Sequence, residues 1–558
     1  MDKISTKSIR LLIVLLGAML YIPFIGDVHL FDWDEINFAE SAREMLLTGN
    51  WRYVQINFQP FYEKPPFFIW LQAICMKIFG VSAFSARLPN AVFSILSLLM
   101  IQRIGEWLGG KRLSLIWVIF YASSCLPFAY AKSGIIDPVF NFFIFASLYQ
   151  LFEAARFHDF EHHHSVTRGH RKHLFLCGLF LGIAVLSKGP VAILFVGSVF
   201  FIQLIWTKGK MRISFLDLLF LSLIVILVIG SWLSVEIKAN GFRFLTAFFQ
   251  YQIRLFTTPD AGHAQPIYFH WLVVLLGCFP ASVFIFPAFS VNKGDTLELG
   301  QFKSWMITLL LLVLVIFSLV QTKIVHYSSL AYFPVTFLAA YQWERMSRLR
   351  LSVPQVVIIP GIFIILLFSA AFITLPYLGR NPDLLLPYLK DPFARNCLTA
   401  SVKWEWSHAF PGVIMLIGLF ISFYYLSKNK SIELFWVFAA TALLTWNWAY
   451  QSILPQIEGY SQNAYIGMLK DLKNKNAINA RPIFVETAGF KSYAQLFYFD
   501  KQPPLSPEEL NPEHIIWRDS LNEAYLIGKD PNIFNEKWLP ACDTMDRKNG
   551  YVLLRVKK

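Results

Sequence analysis

Residues 214–236 read SFLDLLFLSLIVILVIGSWLSVE, an apolar run whose only charges, Asp217 and Glu236, sit toward its two ends. As a helix, a run of this length crosses the about 30 Å hydrocarbon layer of a bilayer and satisfies its own backbone polar groups on the way. Comparable runs lie near 9–27, 85–105, 113–131, 135–153, 173–188, 190–206, 267–289, 304–321, 326–343, 354–376, 409–427 and 431–450. The pattern predicts a polytopic α-helical membrane protein with about thirteen transmembrane helices, the boundary at Lys188 being the least sharp.

Composition agrees. Of 558 residues, 56% are hydrophobic and only 15% charged, whereas a soluble domain carries about a quarter charged residues. Lys3, Lys7 and Arg10 precede the first apolar run, but no small-residue cleavage site follows it. It therefore reads as a retained helix and not as a signal peptide. The formal charge of +13 would suggest nucleic acid in a soluble protein. In a membrane protein it belongs to short cytoplasmic loops. Arg103, Lys111 and Arg112 lie in one such loop, Arg156, Arg168, Arg171 and Lys172 in the next, then Lys208, Lys210 and Arg212, and Lys293 and Lys303. Arg345, Arg348 and Arg350, and finally Lys428 and Lys430, continue the series. With the N-terminus cytoplasmic, every one of these groups falls on the cytoplasmic side.

The opposite face carries longer segments: 28–84, 237–266, 377–408 and everything after 451. Within the first, 33–47 has apolar residues at helical spacing and 67–79 is apolar but too short to span, so both are expected as interfacial helices. From about 455 the composition becomes that of a soluble domain, with a helix near 464–473 and strands near 482–487, 524–528 and 551–556. The expected division is a membrane-embedded catalytic domain, 1–454, and a small α/β periplasmic domain, 455–558. Of the six cysteines, Cys75, Cys125, Cys177 and Cys278 lie in apolar stretches. Cys397 and Cys542 would face an oxidising compartment, where pairing is chemically open to them.

Ionisable groups at membrane depth or its edge are costly and tend to be functional. Here they gather at outer helix ends: Asp32, Asp34 and Glu35; Glu63 and Lys64; Asp137; Lys188; Arg254; and Lys323, His326 and Tyr327. Such a set suits displacement at an anomeric carbon with a lipid phosphate as leaving group. That reaction needs cations to clamp the phosphate and a carboxylate beside the nucleophile. Lys64 and Arg254 suit the clamp, and Asp34 suits the base. Each has a plainer reading. Asp34 and Glu35 fit the positive end of a helix, Lys64 and Arg254 fit lipid headgroups, and Asp137 before Pro138 fits a helix cap. His162, His163, His164, His170 and His173 lack regular ligand spacing and read as a solvated loop.

The outer segments carry a likeness. FDWDEINFAESAREM at 31–45, Gly49-Asn50-Trp51, Tyr62-Glu63-Lys64-Pro65-Pro66, Phe79-Gly80-Val81 and Ala86-Arg87-Leu88-Pro89 resemble the first outer loop of the aminoarabinose lipid A transferase and protein O-mannosyltransferase superfamily. Weaker echoes are Leu186-Ser187-Lys188-Gly189-Pro190, Gln252-Ile253-Arg254-Leu255-Phe256 and Thr322-Lys323-Ile324-Val325-His326-Tyr327. The resemblance implies the GT-C glycosyltransferase fold. It places Asp34 at the catalytic aspartate and Asp137 at a second acid facing the cavity. Glu63, Lys64, Arg254 and Tyr327 fall at donor-phosphate positions, and Tyr62 and Lys323 join the substrate-binding set. Relatives can carry a histidine just before the later arginine, beside a metal. Residues 248–252 here read FFQYQ, so His263 is the candidate substitute, and Glu63 with His263 the candidate ligands of a divalent metal.

The expected activity is inverting transfer of a sugar, 4-amino-4-deoxy-L-arabinose, from undecaprenyl phosphate to a periplasmic acceptor, lipid A, at a bacterial inner membrane. The alternatives are protein O-glycosylation from the same kind of donor and, in another class, transport of the lipid-linked sugar. A transporter would show repeated halves and midplane charges, and neither is visible.

Overall fold

The computed structural model describes residues 5–156, 166–209, 211, 213–258, 265–290, 294–479, 482–504, 523–536 and 539–557. His162, His163, His164 and His263 lie outside them, as do Lys210, Arg212 and Lys293.

Helix α1 (Thr6–Tyr21) leads into α2 (Asp34–Thr48), which Gly49 ends in the left-handed conformation at φ 67°. A two-residue hairpin, β1 (Gln55–Ile56) and β2 (Gln59–Pro60), precedes α3 (Phe67–Phe79). Asn57 and Phe58 turn the hairpin with positive φ, and the Glu44 carboxylate accepts from both of their N–H groups, at 2.6 and 2.8 Å. Helix α2 is covered from Glu35 to Met45, while α3 turns Ile74, Ile78 and Phe79 outward.

Helix α4 (Ala83–Ser123) is two helices meeting at Gly109 and Gly110, which leave helical geometry. A Cβ on Gly105 would come 2.7 Å from Ser114 Cα. Nine residues of straight helix would hold these positions about 13 Å apart, so the chain doubles back there, as the separate runs at 85–105 and 113–131 require. Then follow α5 (Cys125–Ala131), α6 (Asp137–Arg156), α7 (Val166–Lys188), α8 (Val191–Trp206), α9 (Phe215–Asn240) and α10 (Arg243–Thr257). Helix α11 (Phe269–Gly277) breaks at Phe279-Pro280, and 3-10 turns carry the chain on to Phe289 at 105° to it. Beyond lie α12 (Leu297–Leu319), a 3-10 turn (Val325–Ala331), α13 (Tyr332–Arg348), α14 (Gln355–Arg380), α15 (Pro392–Cys397), α16 (Phe410–Ser427) and α17 (Ser431–Ser452).

The apolar runs fall largely on these helices. Among the described residues seven helices are long and apolar enough to cross a membrane, or eight if the bent pair counts as one span. Other runs give shorter helices, such as α1 and α8 with 16 residues each. This is a multi-span helical membrane protein.

The tail adds α18 (Leu454–Ser461), α19 (Asn463–Ile478), β3 (Ile483–Ala488), α20 (Ala494–Phe499), β4 (Glu523–Lys529), β5 (Cys542–Lys548) and β6 (Tyr551–Val556). The sheet order is β3-β4-β6-β5, with β3 and β4 parallel and the other pairs antiparallel. The tail is anchored on the first loop. Arg43 donates to Asp500 at 2.9 Å and to the Lys501 carbonyl at 2.9 Å, and His29 lies 2.6 Å from Glu458. Cys397 and Cys542 are both free. Cys397 packs beside Gly550 at the β5–β6 turn, whereas Cys542 pairs with Val556 at the hairpin's other end, roughly 20 Å away along the strand.

Candidate active site

Two helix N-termini aim carboxylates at one space. Asp34 opens α2 and Asp137 opens α6, each at the partial positive end of its helix. His326, in the turn before α13, stands between them. Its Nε2 is 3.6 Å from Asp34 Oδ2 and 3.8 Å from Asp137 Oδ2. Lys188, at the end of α7, donates to Asp137 Oδ1 at 2.6 Å and lies 5.1 Å over the Tyr327 ring. The Asp34 side chain is 33% exposed and that of Asp137 6%. Asp34 is therefore the more accessible of the two acids, and Asp137 is the one held by its lysine.

The cations are arranged around a tyrosine. Lys64 Nζ lies 4.7 Å from the centre of the Tyr251 ring, and the Arg254 guanidinium 5.2 Å from it. Lys64 also belongs to the acidic cluster, since the charges of Asp137, Lys188, Asp34 and Lys64 all act on His326. Acids and cations from α2, the 62–66 turn, α6, α7, α10 and the 325–331 turn thus share one neighbourhood.

The supporting contacts explain the convergence. Arg87, near the start of α4, uses all five of its N–H groups. It donates to Glu35 Oε1 at 3.0 Å and Oε2 at 2.7 Å, and to the carbonyls of Ile25, Val28 and His29 at 2.8, 2.7 and 2.9 Å. Glu35 accepts further from the N–H groups of Phe31 and Gly134. Glu35 follows Asp34, and Gly134 precedes Asp137 by three residues, so one buried pair fixes both acids. Burial alone would raise the Glu35 carboxyl. The Arg87 charge and these N–H donors outweigh it and hold the group below the usual carboxylate range. Asn90 donates to the Ser133 and Ile135 carbonyls at 2.6 and 2.7 Å, fixing the turn before Asp137. Asn141, one helical turn beyond Asp137, donates to Ser329 at 2.7 Å and ties the His326 turn to α6.

Asp34, His326, Asp137, Lys188 and Tyr327 therefore meet, and Lys64 lies beside Tyr251, whose helix also carries Arg254. Tyr62 does not join them: its ring packs edge-on against Phe244 in an apolar group with Trp232 and Phe248. Lys323 is buried and donates back to the Val320 carbonyl at 2.8 Å. Glu63 is half-buried. Among the described residues no group of three or more His, Cys, Asp or Glu could hold a metal ion, and Glu63 is the one described member of the candidate pair. The charge-bearing residues without an assigned role in the sequence reading are His326, Lys188 and Arg87. Each lay inside a quoted motif, but which acid it would face depends on helix packing.

Comparison with known proteins follows this geometry. Residues 63–232 match the family model described as dolichyl-phosphate-mannose-protein mannosyltransferase. The undecaprenyl phosphate-alpha-4-amino-4-deoxy-L-arabinose arabinosyl transferase of Wigglesworthia glossinidia brevipalpis is 26% identical over 354 residues, 62% of this chain and 61% of that protein. The chain thus spans about three-fifths of the length of this relative. The protein of the same name from Shewanella sediminis is 27% identical over 418 residues, 73% of this chain and 72% of its own. The crystal structure of ArnT from Cupriavidus metallidurans bound to undecaprenyl phosphate superposes with a TM-score of 0.74, covering 99% of this chain and 98% of that one at 16% identity. The chain has the same fold.

Proposed function

We propose, from the premise that this chain is a member of the aminoarabinose lipid A transferase and protein O-mannosyltransferase superfamily of GT-C glycosyltransferases, that it moves 4-amino-4-deoxy-L-arabinose from undecaprenyl phosphate to lipid A. The observation that carries the reading is the approach of Asp34 and Asp137 to His326, on which the charge of Lys64, itself beside Tyr251, also acts. The names of the relatives support the donor. Undecaprenyl phosphate is the donor's leaving group. Lys64 and Arg254 neutralise its phosphate, and a charge-assisted contact is worth most where water is excluded. An acceptor oxygen attacks the anomeric carbon from the opposite face as the bond from that carbon to the phosphate oxygen breaks, and the electron pair leaves with the phosphate. A hydroxyl acceptor gives its proton to Asp34; a lipid A phosphate is already anionic, and Asp34 then orients it.

The site lies on the periplasmic face of a bacterial inner membrane, with the N-terminus cytoplasmic and the tail from 455 periplasmic. The basic loops at the far ends of the helices support that orientation. An acceptor screen with purified enzyme and donor lipid tests the assignment: transfer to lipid A is expected, whereas transfer to a protein hydroxyl alone would move the chain to the mannosyltransferase branch. Lys64→Ala and Arg254→Ala should each weaken donor affinity by about ten- to a hundredfold, from the loss of one contact to a charged group, with the acceptor KM little changed. Unaltered donor affinity in a competition assay would remove the clamp. Tyr62→Phe, by its apolar surroundings, should leave donor affinity within about twofold of the parent.

A further inference from the structure

A second space lies in the bundle, away from the acids. It is an apolar groove between the broken helix at 279–284 and helices α14, α16 and α17. Phe284, Val357, Ile365 and Leu419 form its buried floor, and Phe423, 44% exposed, stands where it meets the bundle surface. Among the lining residues Ser422 alone has a polar side chain, and its hydroxyl is spent on the Gly418 carbonyl of its own helix at 2.6 Å. A space without hydrogen-bonding groups does not hold water. The α14 residues that line it run from Val357 to Ile365, about 12 Å along the helix axis, a shape suited to a hydrocarbon chain. Gly361 lines it too, and a Cβ there would meet nothing within 4 Å.

Basic residues stand within a few positions in sequence of three lining residues, Arg348 and Arg350 before Val353 and Lys428 and Lys430 between Leu426 and Leu434. Ser347 and Ser431, with their hydroxyls 3.4 Å apart, bring the end of α13 to the start of α17, so these cations share one rim. Glu344 and Glu433 pair with Arg348 and Lys430 only loosely, at 3.5 and 3.9 Å, with both cations more than half exposed. Exposed pairs of this kind are weak and yield to a stronger anion. This rim lies on the side of the bundle remote from Asp34 and Asp137.

We propose that the groove holds an acyl chain of an anionic phospholipid, with its phosphate at the Arg348–Lys430 rim, a lipid site separate from that of the donor. Apolar walls select a chain, and a basic rim next to a membrane helix selects an anionic headgroup. Native mass spectrometry of the full-length protein in mild detergent, titrated with phosphatidylglycerol or phosphatidylcholine, tests it. The parent protein should prefer phosphatidylglycerol. Lys428→Ala with Lys430→Ala should weaken that binding roughly thirtyfold, at about 1 kcal/mol per cation near a membrane surface. Gly361→Phe, which fills the space, should remove binding of both lipids. Phosphatidylglycerol binding unchanged in the double variant, or equal affinity for the two lipids in the parent, overturns the proposal. Undecaprenyl phosphate displaced by Gly361→Phe in place of phospholipid overturns it as well. The double variant alters only exposed side chains, so its lipid preference is decisive even if Gly361→Phe does not fold.

Discussion

Asp34→Asn should lower sugar transfer by about 10²- to 10⁴-fold, the range that a positioned acid–base group contributes, while the protein still inserts and folds. The amide has the size of the carboxylate and the residue is one-third exposed, so no core contact is lost. What disappears is the proton acceptor and the charge facing His326. The size of the loss also reports on the acceptor. A hydroxyl must surrender its proton, so its transfer should fall through the full range. A phosphate oxygen has no proton to give, and its transfer should fall less. Asp137→Asn makes the informative companion, because it leaves Lys188 without the carboxylate that now lies 2.6 Å away and so disturbs the cation as well as the acid. Rates measured with saturating donor in liposomes check both variants. Near-normal turnover of Asp34→Asn would take Asp34 out of the reaction.

The membrane class, the positions of the long apolar helices and the break between the runs at 85–105 and 113–131 were legible in the chain, because a bilayer admits few alternatives and apolar length reports them directly, whereas α10, α15, α18 and α20 were not. Strands β3, β4 and β6 were legible as short apolar runs rich in β-branched and aromatic residues. Strand β5 was not: CDTMDRK is exposed along almost its whole length, the composition of a protected sheet edge, and nothing in it has a buried face to betray it. In the site, Asp34, Asp137, Lys64 and Arg254 were legible as outer charges expected to share one site, whereas the place of His326 between the two acids was not. The proximity of His326 to both acids joins positions 34, 137 and 326, which only helix packing brings together. Tyr62 and Lys323 mark the converse limit. They stand beside motif residues in sequence, yet an aromatic ring finds Phe244 and an ammonium finds a carbonyl of its own chain, since each satisfies its nearest available partner.

The second large effect is expected from Glu35 and Arg87, which touch no substrate in this reading. Their side chains are 6% and 2% exposed, and removing one partner leaves the other charged, buried and unpaired, a loss of about 3–5 kcal/mol. Glu35→Gln should therefore lower the melting temperature in detergent and reduce transfer together, because the same carboxylate holds the Phe31 and Gly134 N–H groups on either side of the two catalytic candidates. Glu35→Gln combined with Arg87→Met should recover part of the stability, since no buried charge is stranded, but little of the transfer, since the carbonyls of Ile25, Val28 and His29 lose their donor and the turn before Asp34 its anchor. The pH response has a definite sign. A carboxyl held below its ordinary value stabilises the fold above that value and withdraws the stabilisation as pH falls through the lowered one. The parent should thus lose stability on acidification below the ordinary carboxylate range, and Glu35→Gln should lose less over the same interval. Melting curves of the parent and the two variants across that range decide it. Equal melting temperatures for the parent and Glu35→Gln would mean that the pair does not carry the loop, and that the approach of Asp34 to Asp137 is held by other contacts.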